Sequence, residues 1–265
     1  MQSPRLHVDI DGAGPAIVLA HGLGGSARNF GPQMRALKDR YRVIRYDARG
    51  HGRSDAPHEA SAYTPAAFVD DMGRVLDDAG ERTAGNTAVV GGLSMGAGTA
   101  LRFALAHPAR VRGLVLCAFP AGADDPEGFA AKALRFAETI ERDGLEAAGD
   151  VYVWGPSTRL DPNAVHFVQQ GFLEHPPHGL ALTLRGVIAQ QLPVAAMRGE
   201  LASLRAPVLI LVGSEDGPSR RASDALAAAL PRARLVVVPG AGHVVNLQKP
   251  DEVSAAMHEF VDALA

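Results

Sequence analysis

Short, mostly apolar runs alternate along the chain with longer stretches whose apolar residues recur every three or four positions. The runs at 16–20 (AIVLA), 41–46 (YRVIRY), 87–91 (TAVVG), 111–119 (VRGLVLCAF), 207–212 (PVLILV) and 234–238 (RLVVV) read as strands. They are too short for stable helices and rich in Val, Leu and Ile, as buried strands are. A more polar strand is expected at 5–10. Segments 27–37, 65–79, 95–106, 220–230 and 251–264 carry helical patterns. In the second of these, Phe68, Met72, Val75, Leu76 and Ala79 share one face, Pro65 opens the helix and Gly80 closes it.

The rhythm changes after Gly122. From 123 to 200 the pattern is helical, with expected helices at 126–142, 162–172 and 180–191 and a brief strand-like VYVW at 151–154. Strand–helix alternation then resumes. Alternation of this kind implies an α/β fold with a mostly parallel sheet flanked by helices. The interruption reads as a helical cap, 123–200, inserted into a core domain made of 1–122 and 201–265.

Composition narrows the function. Of 265 residues, 47% are apolar and 21% charged, an ordinary balance for a folded globular protein. The net charge of −3, with no basic stripe or polybasic run, argues against a nucleic-acid or membrane-surface partner. Cys117 is the single cysteine, so the chain has no internal disulfide. The opening MQSPRLHVDI has no apolar signal core and no apolar run reaches membrane-spanning length, so a cytoplasmic protein is expected. Many of the 29 glycines sit at the ends of apolar runs, in HGLGG, RGHG, GGLSMGAG and PGAGH. Strand ends are where an α/β enzyme builds its site.

Gly92-Leu93-Ser94-Met95-Gly96 fits G-x-S-x-G between a strand and a helix. That setting exposes a serine hydroxyl on a sharp turn, with the helix N-terminus aimed at developing negative charge. A serine hydroxyl needs a base. Among the ten histidines, His243 stands out because it lies in a glycine-rich loop just after a strand. Asp216 follows PVLILV and precedes His243, giving the chain order Ser, Asp, His.

With HGLGG, RYDARGHGRSD, GLSMGAG, VGSEDGPS and GAGHVVNLQKPDEV in this order, the chain resembles the α/β-hydrolase family along both ends of its length. In detail it is similar to 3-oxoadipate enol-lactonases and to neighbouring esterases, C–C hydrolases and cofactor-free haloperoxidase-type hydrolases. The resemblance implies Ser94 as nucleophile, His243 as base and Asp216 as the acid that orients it. Glu215 is the adjacent competitor, and some members place the acid one strand earlier, which points to Asp124 or Asp125. The resemblance also assigns the oxyanion hole to the backbone N–H groups of Leu23 and Met95. It implies no cofactor and no metal, and a small-molecule ester or lactone as substrate.

Other motifs carry less. HGLGGS and GAGTA lack the phosphate-loop pattern, and His175 and His178 stand three apart without a metal-binding partner set. Asp47 and Arg49 are expected to pair locally, and Cys117 to be buried and inert. In the cap, most of Phe129, Phe136, Phe167, Phe172 and Leu182 are expected to pack the lid onto the core. Trp154 and Arg159 are the substrate-contact candidates, the second through its carboxylate-matching fork. Two further activities use the same triad, C–C bond hydrolysis of a β-diketone-type substrate and acyl transfer. A hydrolase-fold binding protein with little turnover is the non-enzymatic alternative.

Overall fold

The computed structural model describes residues 3–80, 87–120, 125–155, 160 and 162–264. Seven strands form one sheet: β1 Val8–Asp11, β2 Ala16–Ala20, β3 Arg42–Tyr46, β4 Ala88–Leu93, β5 Val111–Cys117, β6 Val208–Gly213 and β7 Ala233–Val238. Their spatial order is β1-β3-β2-β4-β5-β6-β7. β1 runs antiparallel to β3 and every other neighbouring pair is parallel. All residues of β2, β4 and β6 are buried, as strands covered on both faces must be.

The helices are α1 Gly31–Leu37, α2 Pro65–Asp78, α3 Met95–Ala106, α4 Pro126–Tyr152, α5 Pro162–Leu173, α6 Pro177–Thr183, α7 Arg198–Ser203, α8 Gly217–Ala229, α9 Val245–Gln248 and α10 Pro250–Asp262. On one face of the sheet Met72, Leu76, Leu101, Phe103 and Leu226 from α2, α3 and α8 pack on Val18, Val90, Leu116 and Ile210. On the other, Met34, Leu37, Val253 and Met257 from α1 and α10 pack on Ile17, Val89, Val115 and Leu209. Successive strand residues point to opposite faces, so each strand supplies both layers.

Between β5 and β6 the chain leaves the sheet. α4, α5 and α6 close their own small core around Phe136, Ile140, Phe172, Leu180 and Leu184. α4 runs past Arg142, where its end was expected, through a break at Gly144 (φ 86°) to Tyr152. The strand-like 151–154 is therefore helix end and turn. The helix expected at 180–191 is α6 followed by one π-helical turn, Leu184–Ile188. Gly186 in that turn lies so close to Tyr63 that a Cβ there would sit 1.9 Å from the Tyr63 carbonyl oxygen. Among the described residues no helix is long and apolar enough to cross a membrane.

Candidate active site

In a parallel sheet all carboxyl ends lie on one side, so the loops after β2, β4, β6 and β7 meet there. β4 ends at Leu93, and Ser94 turns the chain into α3 with φ 52° and ψ −113°, a conformation L-residues rarely hold. The turn exists because its flanks are glycine. A Cβ on Gly92 would sit 2.4 Å from Ala20 O, and one on Gly96 2.0 Å from the same oxygen. The Ser94 N–H is held by Cys117 O at 2.9 Å and its carbonyl caps Gly98 N–H at 3.0 Å. The Cys117 thiol itself is buried, which pushes its pKa up to about 12, so it is inert as a nucleophile.

Asp216 follows β6 and caps α8, accepting the Ser219 N–H at 3.3 Å. Its other carboxylate oxygen receives His243 Nδ1 at 2.7 Å. The Asp216 side chain is 8% exposed and that of His243 43%. Burial pushes the Asp216 carboxyl up, but the His243 hydrogen bond and charge, with both Ser219 groups, outweigh it and leave its pKa lowered. Ser219 Oγ also approaches His243 Nδ1 at 3.3 Å. Glu215 is exposed, and Asp125 caps α4 by accepting the Gly128 N–H at 2.8 Å. Asp216 is therefore the carboxylate that meets His243, while Asp124 lies outside the described residues.

The His243 loop rests on β6. A Cβ on Gly213 would sit 2.1 Å from Ala241 O, and Gln248 Oε1 takes the Gly242 N–H at 2.9 Å. No hydrogen bond joins Ser94 to His243 among the described residues.

The loop after β2 turns back through Gly25 N–H to Gly22 O, 3.0 Å, and Gly22 lies against Ser94. His21 anchors the loop: its Nδ1 bonds Gly22 O at 2.7 Å while Nε2 accepts the Ala48 N–H at 2.9 Å. Burial lowers its pKa to about 4, so the ring is neutral. Among the described residues nothing accepts the N–H of Leu23 or of Met95, the first residue of α3.

The segment after β3 is structural, but not as expected. Arg49 pairs with Asp71 on α2, with Nε to Oδ2 at 2.7 Å and Nη2 to Oδ1 at 2.8 Å. Asp47 instead accepts the N–H groups of Ala27 at 2.7 Å and Arg53 at 2.8 Å. The local Asp47–Arg49 pair does not form: the guanidinium bridges both oxygens of Asp71, and Asp47 is occupied by backbone N–H groups.

Trp154 packs within the helical segment, its ring edge toward Phe172 and its Nε1 donating to Asp150 at 2.6 Å. Arg159 lies outside the described residues. His175 and His178 diverge, the second reaching Ala56 O at 3.0 Å. Among the described residues no His, Cys, Asp or Glu group could hold a metal. An open pocket of about 540 Å³ lies between α2, α3 and the π turn, away from Ser94 and His243. It shares Pro65 and Arg102 with a narrow crevice that reaches Met95.

Ser219 went unremarked in the sequence, although Asp216-Gly217-Pro218-Ser219 is a helix-capping pattern that could have flagged it.

Known proteins are similar to this chain along most of its length. The sequence model of the alpha/beta hydrolase family matches residues 17–256. A pimeloyl-[acyl-carrier protein] methyl ester esterase of Nitrosomonas europaea is 30% identical over 93% of this chain and 96% of its own. The 3-oxoadipate enol-lactonase 1 of Acinetobacter baylyi is 28% identical over 99% of this chain and 95% of its own. A thermophilic esterase from Thermogutta terrifontis superposes with a TM-score of 0.87 at 30% identity, covering 98% of this chain and 94% of its own. With residues 17–256 of its 265 matched by the family model, the chain belongs to the alpha/beta hydrolase family.

Proposed function

We propose that this hydrolase is a serine enzyme that cleaves a small carboxylic ester or lactone through an acyl-enzyme, with no cofactor. The observation that carries the reading is the 2.7 Å bond between His243 Nδ1 and Asp216 at the same sheet end as the strained Ser94 elbow. That bond commits Nδ1 as the protonated nitrogen and leaves Nε2 free to act as base.

In this mechanism Ser94 Oγ attacks the carbonyl carbon as its proton passes to His243 Nε2. The carbonyl oxygen becomes an oxyanion held by the N–H groups of Leu23 and Met95. The C–O bond then breaks, and His243 returns the proton to the departing alkoxide oxygen. Water attacks the Ser94 ester, losing a proton to His243, and Ser94 leaves with that proton restored. Asp216 stays ionised and stabilises the imidazolium in both halves. In this mechanism the Ser94–His243 hydrogen bond forms as the proton is transferred. The helices between β5 and β6 act as the lid in this reading, with Trp154 in its wall. An ester or lactone is favoured over a C–C bond by the esterase and enol-lactonase names of the relatives.

The test is hydrolysis of p-nitrophenyl acetate and butyrate, with a fluorophosphonate as label. The wild type should turn over and be labelled at Ser94, and Ser94→Ala should do neither while keeping its melting temperature. Full activity in Ser94→Ala, or an inert and unlabelled wild type, overturns the reading.

A further inference from the structure

His175 has a hydrogen-bonding problem that a neutral ring cannot solve. It is 4% exposed, and both of its nitrogens face carbonyl oxygens: Nδ1 lies 2.7 Å from Gly171 O and Nε2 lies 2.7 Å from Gly25 O. Carbonyl oxygens only accept, and a neutral imidazole has one N–H. One of the two contacts would then set a lone pair against a lone pair at hydrogen-bond distance. Two N–H groups satisfy both, and hydrogen bonds from a charged donor are the short, strong kind.

The ring neighbours of His175 are two further buried histidines. His51 stacks edge-on to His175 with ring centroids 5.4 Å apart, and His21 lies 5.0 Å beyond His51. Burial pushes the pKa of both of those rings down, so neither competes for the proton. His51 bonds Arg49 O through Nδ1 at 3.0 Å, and its buried Nε2 has no hydrogen-bond partner among the described residues. The charged groups around the cluster are engaged elsewhere. Arg49 is paired to Asp71, Asp47 is held by Ala27 and Arg53 N–H, and Glu174 on the same turn is paired to Arg28.

The two carbonyls belong to different parts of the molecule. Gly171 is in α5, within the helical segment, while Gly25 ends the turn that carries Leu23. The same seam is closed by Phe172, whose ring lies where a Cβ on Gly24 would be, 2.4 Å away.

We propose that His175 is a positioning residue: as a doubly protonated imidazolium it clamps α5 to the loop after β2 and so fixes the Leu23 N–H that faces the oxyanion. The role in turnover rests on the hydrolase reading above; the clamp does not. Nitrogen-15 NMR of the histidine rings of the full chain at pH 7 tests the clamp directly. Both His175 nitrogens should report attached protons, while His21 and His51 report one each. An unprotonated nitrogen in His175 overturns the clamp.

Kinetics on p-nitrophenyl butyrate test the positioning. His175→Leu removes both donors and His175→Gln keeps one. Losing an oxyanion donor lowers rates about 100- to 1000-fold. His175→Leu should lose about that much in kcat with KM within about twofold, and His175→Gln should recover part of it. Should the Leu variant fail to fold, the Gln variant alone decides through the same split between kcat and KM. Unchanged kcat in a folded variant, or a loss confined to KM, overturns the positioning role. If the wild type itself neither turns over nor labels at Ser94, the hydrolase reading falls and the positioning role with it, while the NMR result still decides the clamp.

Discussion

The sheet core and the helical segment between β5 and β6 are built to different tolerances. In the core, backbones meet backbones. Gly91, Gly92, Gly96 and Gly213 each touch a neighbouring carbonyl so closely that any Cβ would overlap it. Among the described residues the helical segment has a core of nine buried residues and borrows Leu23 from the sheet side to close it. Of the six large apolar residues exposed among those described, five lie in that segment or its connection to β6: Leu134, Val151, Phe167, Leu173 and Leu192. Its glycines are mixed: Gly144, Gly171 and Gly199 have nothing within 4 Å of a Cβ position, whereas Gly179 and Gly186, where the segment meets the core, press on the carbonyl oxygens of Gly50 and Tyr63. The core is therefore a frame that tolerates almost no displacement at the strand ends. The segment between β5 and β6 packs mainly through side chains around its own small core.

The largest expected effect tests whether the frame holds the chemistry. Asp216→Asn keeps the shape but presents an amide to His243 Nδ1, which favours the wrong tautomer. A loss of about 10⁴-fold in kcat is expected, as when the acid of such a triad is replaced, with the melting temperature little changed. Retention of wild-type kcat would mean that Glu215 or another carboxylate serves His243.

Gly96→Ala comes next. Alanine normally stabilises a helix relative to glycine by about 1 kcal/mol. Here its Cβ would sit 2.0 Å from Ala20 O and 2.8 Å from His21 O. Backbone overlap cannot be relieved by a rotamer change, so a loss of more than about 3 kcal/mol is expected in urea melts. A mild effect would show that the strand ends yield more than the packing implies.

These features differ in how far the sequence reveals them. Strands β2 and β6 are legible because burial on both faces leaves an unbroken apolar run, and β5 because the same holds from Leu114 to Cys117. The end of β4 was less so, since the ladder continues through Gly91, Gly92 and Leu93, where glycine carries no hydropathy signal. In the helical segment the break at Gly144, the π turn and the helix at Arg198–Ser203 were missed. The π turn is fixed by Gly186 resting on Tyr63, a contact between distant parts of the chain. The same holds at the site. The elbow, Asp216 and His243 announce themselves through local turn chemistry, whereas His175 meets Gly25 from 150 residues away. Local turns are written in adjacent residues, and seams between layers are not.

Acid sharpens the comparison further, because the core buries neutral histidines. His21 has its pKa lowered from 6.5 to about 4 by burial. The unfolded chain therefore takes up a proton that the folded chain refuses, and stability falls as pH drops from about 6.5 to about 4. The linkage is worth about 3 kcal/mol for this one ring. Asp216 acts in a lower window: its lowered carboxyl pKa contributes stability above 3.8 that is lost as pH falls through the folded value. Urea midpoints at pH 6, 5 and 4 should decline steadily through the histidine window. A flat profile there would mean that the core opens locally and hydrates His21.

Ser94→Gly separates strain from function inside the frame. The serine holds φ 52° and ψ −113°, a conformation glycine accepts without steric cost. Relief of that strain should raise stability by about 1 kcal/mol while abolishing turnover. An unchanged or lower melting temperature would show that glycine's added freedom in the unfolded chain cancels the relief.

Gly171→Ala is the mirror of Gly96→Ala and the smallest effect. It makes the same chemical change, also within a helix, but in the helical segment instead of the sheet core. Gly171 lies in α5 with nothing within 4 Å of a Cβ position, so the added methyl meets no backbone and only restricts the unfolded chain. A gain of about 0.5–1 kcal/mol is expected. The Gly171 carbonyl that accepts His175 is untouched by the substitution, so kcat should stay at the wild-type value. Opposite signs for Gly96→Ala and Gly171→Ala in the same urea assay would establish that the two layers differ in packing tolerance. Equal signs would dissolve the distinction, and a fall in kcat with Gly171→Ala would mean that small shifts of α5 reach the loop after β2 even with the His175 bonds intact.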